Sequence, residues 1–131
     1  MLDTNYNGVT LAYIGDAVIE LYLRKKLIAS GVTNTGRLSA AAQKLVCAPM
    51  QSALTEILLP LLTPEEEAAY RLGRNHKANG KPKHATVAEY SRATGMEAVF
   101  GYLHLTGNAA RAEALLSEIY EKPLSQIKDA I

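Results

Sequence analysis

An apolar stretch with a carboxylate at its centre constrains this chain more than any other feature. Residues 11–21 have the sequence LAYIGDAVIEL, and their apolar positions recur with the three- and four-residue spacing of an α-helix. An ionised Asp16 near the buried side of such a helix is costly unless it is paired or bound to a cation. The sequence therefore predicts a helix in which Asp16 has a partner, and a metal ion is one candidate.

A second stretch, residues 95–103, repeats this pattern. Its sequence is GMEAVFGYL, in which Glu97 is the single acid in a helix-like apolar run. If the two helices pack together, the two acids can meet. The more ordinary interpretation of each acid is a capping or ion-pairing role, as we expect for Glu20, which lies one helical turn before Arg24.

Helical periodicity continues along the chain and predicts an all-α fold of six to seven helices. Capping boxes at Thr63 and Thr86 mark two of the helix starts. Pro123 is expected to end the sixth helix, with a short turn after Ser125. The predicted helices cover about 8–29, 35–46, 49–59, 63–75, 86–105 and 108–122, and no segment has the alternation of a β-strand.

The composition is that of a single domain spanning residues 1–131. A hydrophobic content of 48% is enough to form one core. Cys47 is the only cysteine, which excludes an internal disulfide and leaves a small core residue as its expected role. No apolar run reaches the roughly 18 residues that a membrane-spanning helix needs, and the N-terminus does not resemble a signal peptide. We therefore expect a cytoplasmic protein without membrane contact.

The charge of the chain is uneven. The segment from Arg71 to Arg92 carries six basic residues against one acid, a net charge of +5 in a chain whose total is +1. Its centre is rich in Gly, Pro, Asn and Lys, which is typical of a loop. Such a loop either binds phosphate groups or only keeps the protein soluble, and the composition leaves both interpretations open.

Two motifs resemble the catalytic domain of ribonuclease III. YIGDAV at residues 13–18 matches the family's signature helix, and EAVFG at residues 97–101 matches its later acidic motif. The resemblance is strongest to Mini-ribonuclease III, a branch that consists of the catalytic domain alone. RLGRN at residues 71–75 and YSRATGMEA at residues 90–98 also resemble this branch. It implies the ribonuclease III fold and a Mg²⁺-dependent endoribonuclease for double-stranded RNA, without the double-stranded-RNA-binding domain.

The resemblance also implies a site. Asp16 and Glu97 would be the catalytic acids and would bind Mg²⁺, for which Mn²⁺ can substitute. Val9, Ala12 and Thr94 stand where the wider family carries acids. Fewer direct ligands remain, which favours one firmly held Mg²⁺ per site. The Thr94 hydroxyl would either hold a metal-bound water or serve only in packing and backbone bonding.

Partners follow from the same resemblance. Tyr13 stands where the family packs an aromatic side chain across the two-fold axis of a homodimer, and a core tyrosine is the alternative. The substrate would be double-stranded RNA, with precursor 23S ribosomal RNA as the natural one. The residues expected to contact RNA are Arg71, Arg74, Asn75, Lys77, Lys81, Lys83 and Arg92.

Two other functions stay open at this point. The first is a non-catalytic RNA-binding or ribosome-associated module on the same fold, against which the retention of Asp16 and Glu97 counts. The second is a helical protein-interaction domain with no role in RNA binding. Salt-dependent binding to an RNA duplex would exclude the second, because a protein that neutralises phosphates releases their counterions.

Overall fold

The structure, a computed structural model, describes residues 6–76 and 84–130. Within these ranges it contains α-helices and one 3₁₀ turn at Leu59–Leu61, and no strand. The helices are α1 (Gly8–Ala29), α2 (Thr35–Val46), α3 (Ala48–Leu58), α4 (Pro64–Arg74), α5 (Val87–Leu105) and α6 (Ala109–Ala130). The all-α prediction is confirmed, and α1 and α2 have the predicted bounds. None of the described helices is long and apolar enough to cross a bilayer.

Polar side chains start the helices, at Thr63 and Thr86 as the sequence predicts and also at Asn7 and Asn34. Asn7 and Asn34 accept hydrogen bonds from the first-turn backbones of α1 and α2, at 2.9 and 3.0 Å. Both capping boxes form: Thr63 and Thr86 each exchange two hydrogen bonds with the glutamate three residues later. These bonds satisfy backbone N–H groups that have no partner inside the helix.

Helix α5 runs through the centre of the fold. Helices α1, α3 and α4 pack around it, and every residue from 93 to 103 is buried except Glu97. A helix that is apolar on all sides belongs in a core. Glu97 is therefore the one position in this stretch at which the central helix reaches the surface.

Two expectations are wrong. Helix α6 continues through Pro123 to Ala130, and Leu124 and Ile127 beyond the proline pack against the core. Cys47 is exposed because it lies at the junction where α2 ends and α3 begins.

A buried ion pair ties α4 to α6. The Glu66 side chain, one of three consecutive acids in the first turn of α4, is only 5% exposed and receives hydrogen bonds from Arg111 at 3.0 Å. Burial raises the pKa of the Glu66 carboxyl, but the bonds from Arg111 and from the Thr63 backbone outweigh burial and hold it below its usual value. Glu66 is thus a structural acid and takes no part in the site described next.

Candidate active site

Helices α1 and α5 touch backbone to backbone. A Cβ atom added at Gly15 would overlap the backbone carbonyl of Glu97, and one added at Gly101 would overlap the carbonyl of Leu11. Only glycine allows such close approach. Because Asp16 follows Gly15 directly, this contact sets its side chain beside that of Glu97.

The two carboxyl groups interact. Burial, the charge of Asp16 and a hydrogen bond between the two side chains together raise the pKa of Glu97 to about 8, and burial has the largest effect. Near neutral pH and without a cation, Glu97 therefore holds a proton and donates it in a hydrogen bond to Asp16. The expectation that Asp16 lies near the buried side of its helix is wrong. The Asp16 side chain is exposed, and Glu97 is the more buried of the two acids.

The donor set consists of these two carboxylates. Within residues 6–76 and 84–130, no group of three or more His, Cys, Asp or Glu side chains could hold a metal ion. Mg²⁺ commonly takes one or two protein carboxylates and fills its remaining positions with water and substrate phosphate. Asp16 and Glu97 fit such a cation, because its charge would replace the proton that burial and the neighbouring Asp16 retain on Glu97.

Thr94 lies one helical turn before Glu97 and is almost fully buried, with 8% of its surface exposed. Its hydroxyl donates a hydrogen bond to the Tyr90 carbonyl at 2.9 Å within the same helix. The hydroxyl proton is therefore already used in a backbone bond. The oxygen keeps only its capacity to accept a hydrogen bond, which limits how it could hold a water molecule.

The predicted RNA-contacting residues that fall in the described ranges are all exposed: Arg71, Arg74, Asn75 and Arg92. Arg71 pairs with Glu67 at 3.2 Å, and Arg74 donates to Asn75 at 3.1 Å. The predicted contacts Lys77, Lys81 and Lys83 lie outside the described residues.

The buried Tyr70 of α4 lies close to basic side chains of both α4 and α5. The Arg74 guanidinium lies 5.8 Å from the centre of the Tyr70 ring. Burial raises the pKa of Tyr70, and the positive charges of Arg74 and Arg92 oppose that rise. The two arginines, from different helices, therefore both lie near this ring.

Tyr13 projects from α1 into solvent and is 81% exposed. The alternative of a core tyrosine is therefore wrong. Leu21, two turns further along the same helix, is 62% exposed. Large apolar side chains exposed in this way occur on surfaces that a partner covers.

The sequence model of the Ribonuclease III domain matches residues 9–108, a range that includes both acids. Proteins named Mini-ribonuclease 3 match over most of their length. The one from Streptococcus pneumoniae is 43% identical over 125 residues, covering 93% of this chain and 98% of that protein. The one from Symbiobacterium thermophilum is 43% identical over 108 residues, covering 82% and 83%.

This chain belongs to the Mini-ribonuclease III family. A solved structure of a protein from Fusobacterium nucleatum has the same fold, with a TM-score of 0.82 and 28% identity, covering 91% of this chain and 95% of that one. As a Mini-ribonuclease III family member, the chain is an endoribonuclease.

Sequence patterns missed two groups beneath this Mini-ribonuclease III site. Tyr120 is fully buried and donates to the Leu45 carbonyl at 2.8 Å. Burial raises its pKa, and the charges of Glu97 and Glu20 raise it further, so both carboxylates lie near the phenol. Gln51 is 2% exposed, and its Nε2 has no hydrogen-bond partner in the described chain. The sequence gives little signal for Gln51, because the buried face of α3 also carries Ser52 and Thr55.

Proposed function

We propose that this endoribonuclease cleaves double-stranded RNA in a reaction that depends on Mg²⁺, or on Mn²⁺ in its place, and that Asp16 and Glu97 bind the cation. The observation that carries the proposal is the pair itself: two carboxyl groups side by side on touching helices, with the pKa of Glu97 raised to about 8. Two acids held this close without a counter-charge are costly, which favours a site for a cation.

The two acids have different tasks in this proposal. A bound Mg²⁺ supplies positive charge for the phosphoryl oxygens and lowers the pKa of water. Asp16 is exposed, so its carboxylate oxygens are directly accessible to solvent and substrate. Glu97 releases its proton when the cation is held. Gly15 and Gly101 fix the distance between the two helices and so the distance between the two ligands.

The basic residues of α4 and α5 support binding of an RNA duplex. Proteins recognise A-form duplexes mainly through shape, phosphates and 2′-hydroxyls. Arg74 and Arg92 present positive charge from two helices near one buried tyrosine, and Arg71 and Asn75 lie on the same end of α4. Lys77, Lys81 and Lys83 would add charge from the segment between these helices. Arg74 and Arg92, the proposed contacts from α4 and α5, therefore lie in one region of the described protein.

The proposal includes assembly of the protein into a homodimer. The exposed Tyr13 and Leu21 would pack against the same residues of a second copy, because a two-fold interface uses one patch twice. Two acid pairs related by a two-fold axis match the symmetry of the two strands of a duplex. Each site would then cut one strand, leaving a staggered end.

The natural substrate in this proposal is the paired termini of precursor 23S ribosomal RNA, and that substrate places the reaction in the cytoplasm. Support for it comes from the resemblance to Mini-ribonuclease III. A processing assay that contains precursor 23S RNA and an unrelated duplex of equal length tests it, with preferential cleavage of the precursor as the expected result.

The decisive experiment measures cleavage and binding of one labelled RNA duplex in parallel. Asp16→Asn and Glu97→Gln should bind the duplex and fail to cut it in Mg²⁺, whereas Glu118→Gln, an exposed acid on α6, should cut normally. Mg²⁺ should raise the melting temperature of the unmodified protein and of the Glu118 variant only. Binding without any cleavage by the unmodified protein would instead support a non-catalytic RNA-binding module, and absence of both would exclude a role on RNA.

A further inference from the structure

A polar groove lies between α1 and α2. Its volume is about 370 Å³. Exposed Thr35, Ser39 and Gln43 contribute hydroxyl and amide groups from α2, and Leu27, Leu38 and Ala42 form an apolar floor. Glu20, Arg24 and the exposed apolar Ile28 complete the lining from the α1 side. A groove with an apolar floor and polar walls can hold a strand that carries sugar hydroxyls and phosphates.

Arg24 is held in a defined orientation in this groove. Its Nε and Nη2 donate to one oxygen of Glu20 at 3.0 and 2.7 Å. The Glu20 side chain is 26% exposed, whereas that of Arg24 is 68% exposed. Because a guanidinium has more N–H groups than this pair uses, Arg24 can donate to a second anion while Glu20 fixes its position.

The groove adjoins the acid pair. Glu20 lies one helical turn after Asp16 on α1. Glu20 and Glu97 also both lie near the phenol of Tyr120, since the charge of each raises the pKa of that group, although less than burial does. The end of the groove at which Glu20 lies is therefore close to the site of the proposed reaction.

We propose that this groove binds the phosphate backbone of the RNA substrate next to the cleaved bond, with Arg24 contacting a phosphate and Ser39 and Gln43 contacting the sugar or phosphate oxygens. The inference rests on the proposed function, which it extends to a second contact region. The contacts on α4 and α5 belong to other helices. A duplex over the acid pair would thus be held from α1 and α2 as well as from α4 and α5.

Neighbouring Lys25 provides a matched control. It lines a different cavity, of about 400 Å³, between α1 and α6. Arg24→Gln and Lys25→Gln remove one positive charge each from adjacent positions of one helix, so they change net charge equally and differ in the groove that they affect. Arg24→Lys keeps the charge but loses the guanidinium geometry.

Binding of a labelled RNA duplex is measured against salt concentration, with Asp16→Asn in all proteins so that none can cut. Arg24→Gln should weaken binding about tenfold at low salt and lower the slope of log affinity against log salt by about one, whereas Lys25→Gln should change neither. Arg24→Lys should restore most of the slope. Melting curves without RNA establish that each variant is folded.

Equal binding by the Arg24→Gln and Lys25→Gln proteins, with the parent binding normally, would overturn the groove assignment and leave the proposed function intact. A parent protein that does not bind the duplex at any salt concentration would overturn both. A loss of affinity in Arg24→Gln with an unchanged salt slope would also contradict a phosphate contact, because it would indicate a structural effect of leaving Glu20 unpaired.

Discussion

Gly15 packs directly against the backbone carbonyl of Glu97, with no side chain between the two helices at that point. The contact does more than fill space. It brings the residue after Gly15, the acid Asp16, to the carboxyl of Glu97 and so creates the pair on which the proposed chemistry depends. The geometry of the site is thus set by a residue that has no functional group.

Substitution of Gly15 by alanine tests this relationship. The added Cβ would overlap the Glu97 carbonyl, so the helices must separate, and we expect a loss of about 3 kcal/mol or more in the free energy of unfolding. Cleavage should fall with it. Gly36→Ala is the control, because the Cβ there would meet only the end of the Asn34 side chain, at 3.2 Å, and stability should stay within about 1 kcal/mol. Chemical denaturation measures both; equal effects would refute the close-contact argument.

The raised pKa of Glu97 predicts a pH dependence of stability in the absence of metal. Its folded pKa of about 8 lies above the ordinary value of 4.5, so the folded protein binds the extra proton between these values. The free energy of unfolding should therefore fall as pH rises from about 4.5 through 8, by about 2–4 kcal/mol. Denaturation curves in a chelator measure this. Glu97→Gln should flatten the decline, and a decline that survives this substitution must come from another group.

Tyr13 predicts an effect on assembly without an effect on the fold of the protomer. At 81% exposure it contributes little to the core, so Tyr13→Glu should preserve helicity while it lowers the dimer fraction. Val87→Glu is a suitable control, since Val87 is 65% exposed on a different helix. Sedimentation analysis over a range of protein concentrations distinguishes the two variants. A Tyr13 variant that dimerises as well as the unmodified protein would remove this residue from the interface.

Arg111→Ala should destabilise the protein without a direct effect on the site. The substitution leaves the Glu66 carboxylate buried without its charged partner, and because Arg111 is itself 39% exposed we expect a loss of about 2–4 kcal/mol. Glu66→Gln combined with Arg111→Ala should recover part of that loss, since no buried charge then remains unpaired. Thermal and chemical unfolding measure both variants. If the single and double variants are equally unstable, the ion pair is not the cause.

Local signals predicted most of the fold because the elements that define helices are themselves local. Asn7, Thr63 and Thr86 act on the backbone within a few residues, and the prediction of their helices is confirmed. The prediction that Pro123 ends the sixth helix is wrong because the outcome of a proline in a helix also depends on tertiary packing. Leu124 and Ile127 continue the buried face of α6 beyond it, and this packing offsets the cost of a proline inside the helix.

The site was predictable only in part. The acids stand out against an apolar background, so Asp16 and Glu97 could be chosen from the sequence. Which of the two carboxyl groups is more buried depends on how α1 and α5 pack. Residues far apart in the sequence determine that packing. Tyr120 lies near Glu97, and Gln51 shares a hydrogen bond with Tyr120, but the sequence does not indicate that either is close to the acids.

The Thr86 capping box has a consequence for how such an enzyme can diversify. Helix α5 starts on its own hydrogen bonds, between Thr86 and Glu89, inside the basic segment from Arg71 to Arg92. Glu97 thus lies on a helix whose first turn is capped by its own side chains. Under the proposed function, insertions, deletions or changes of charge in residues 77–83 would alter RNA binding without a change in the helix that carries Glu97, so substrate choice and chemistry would be free to evolve separately.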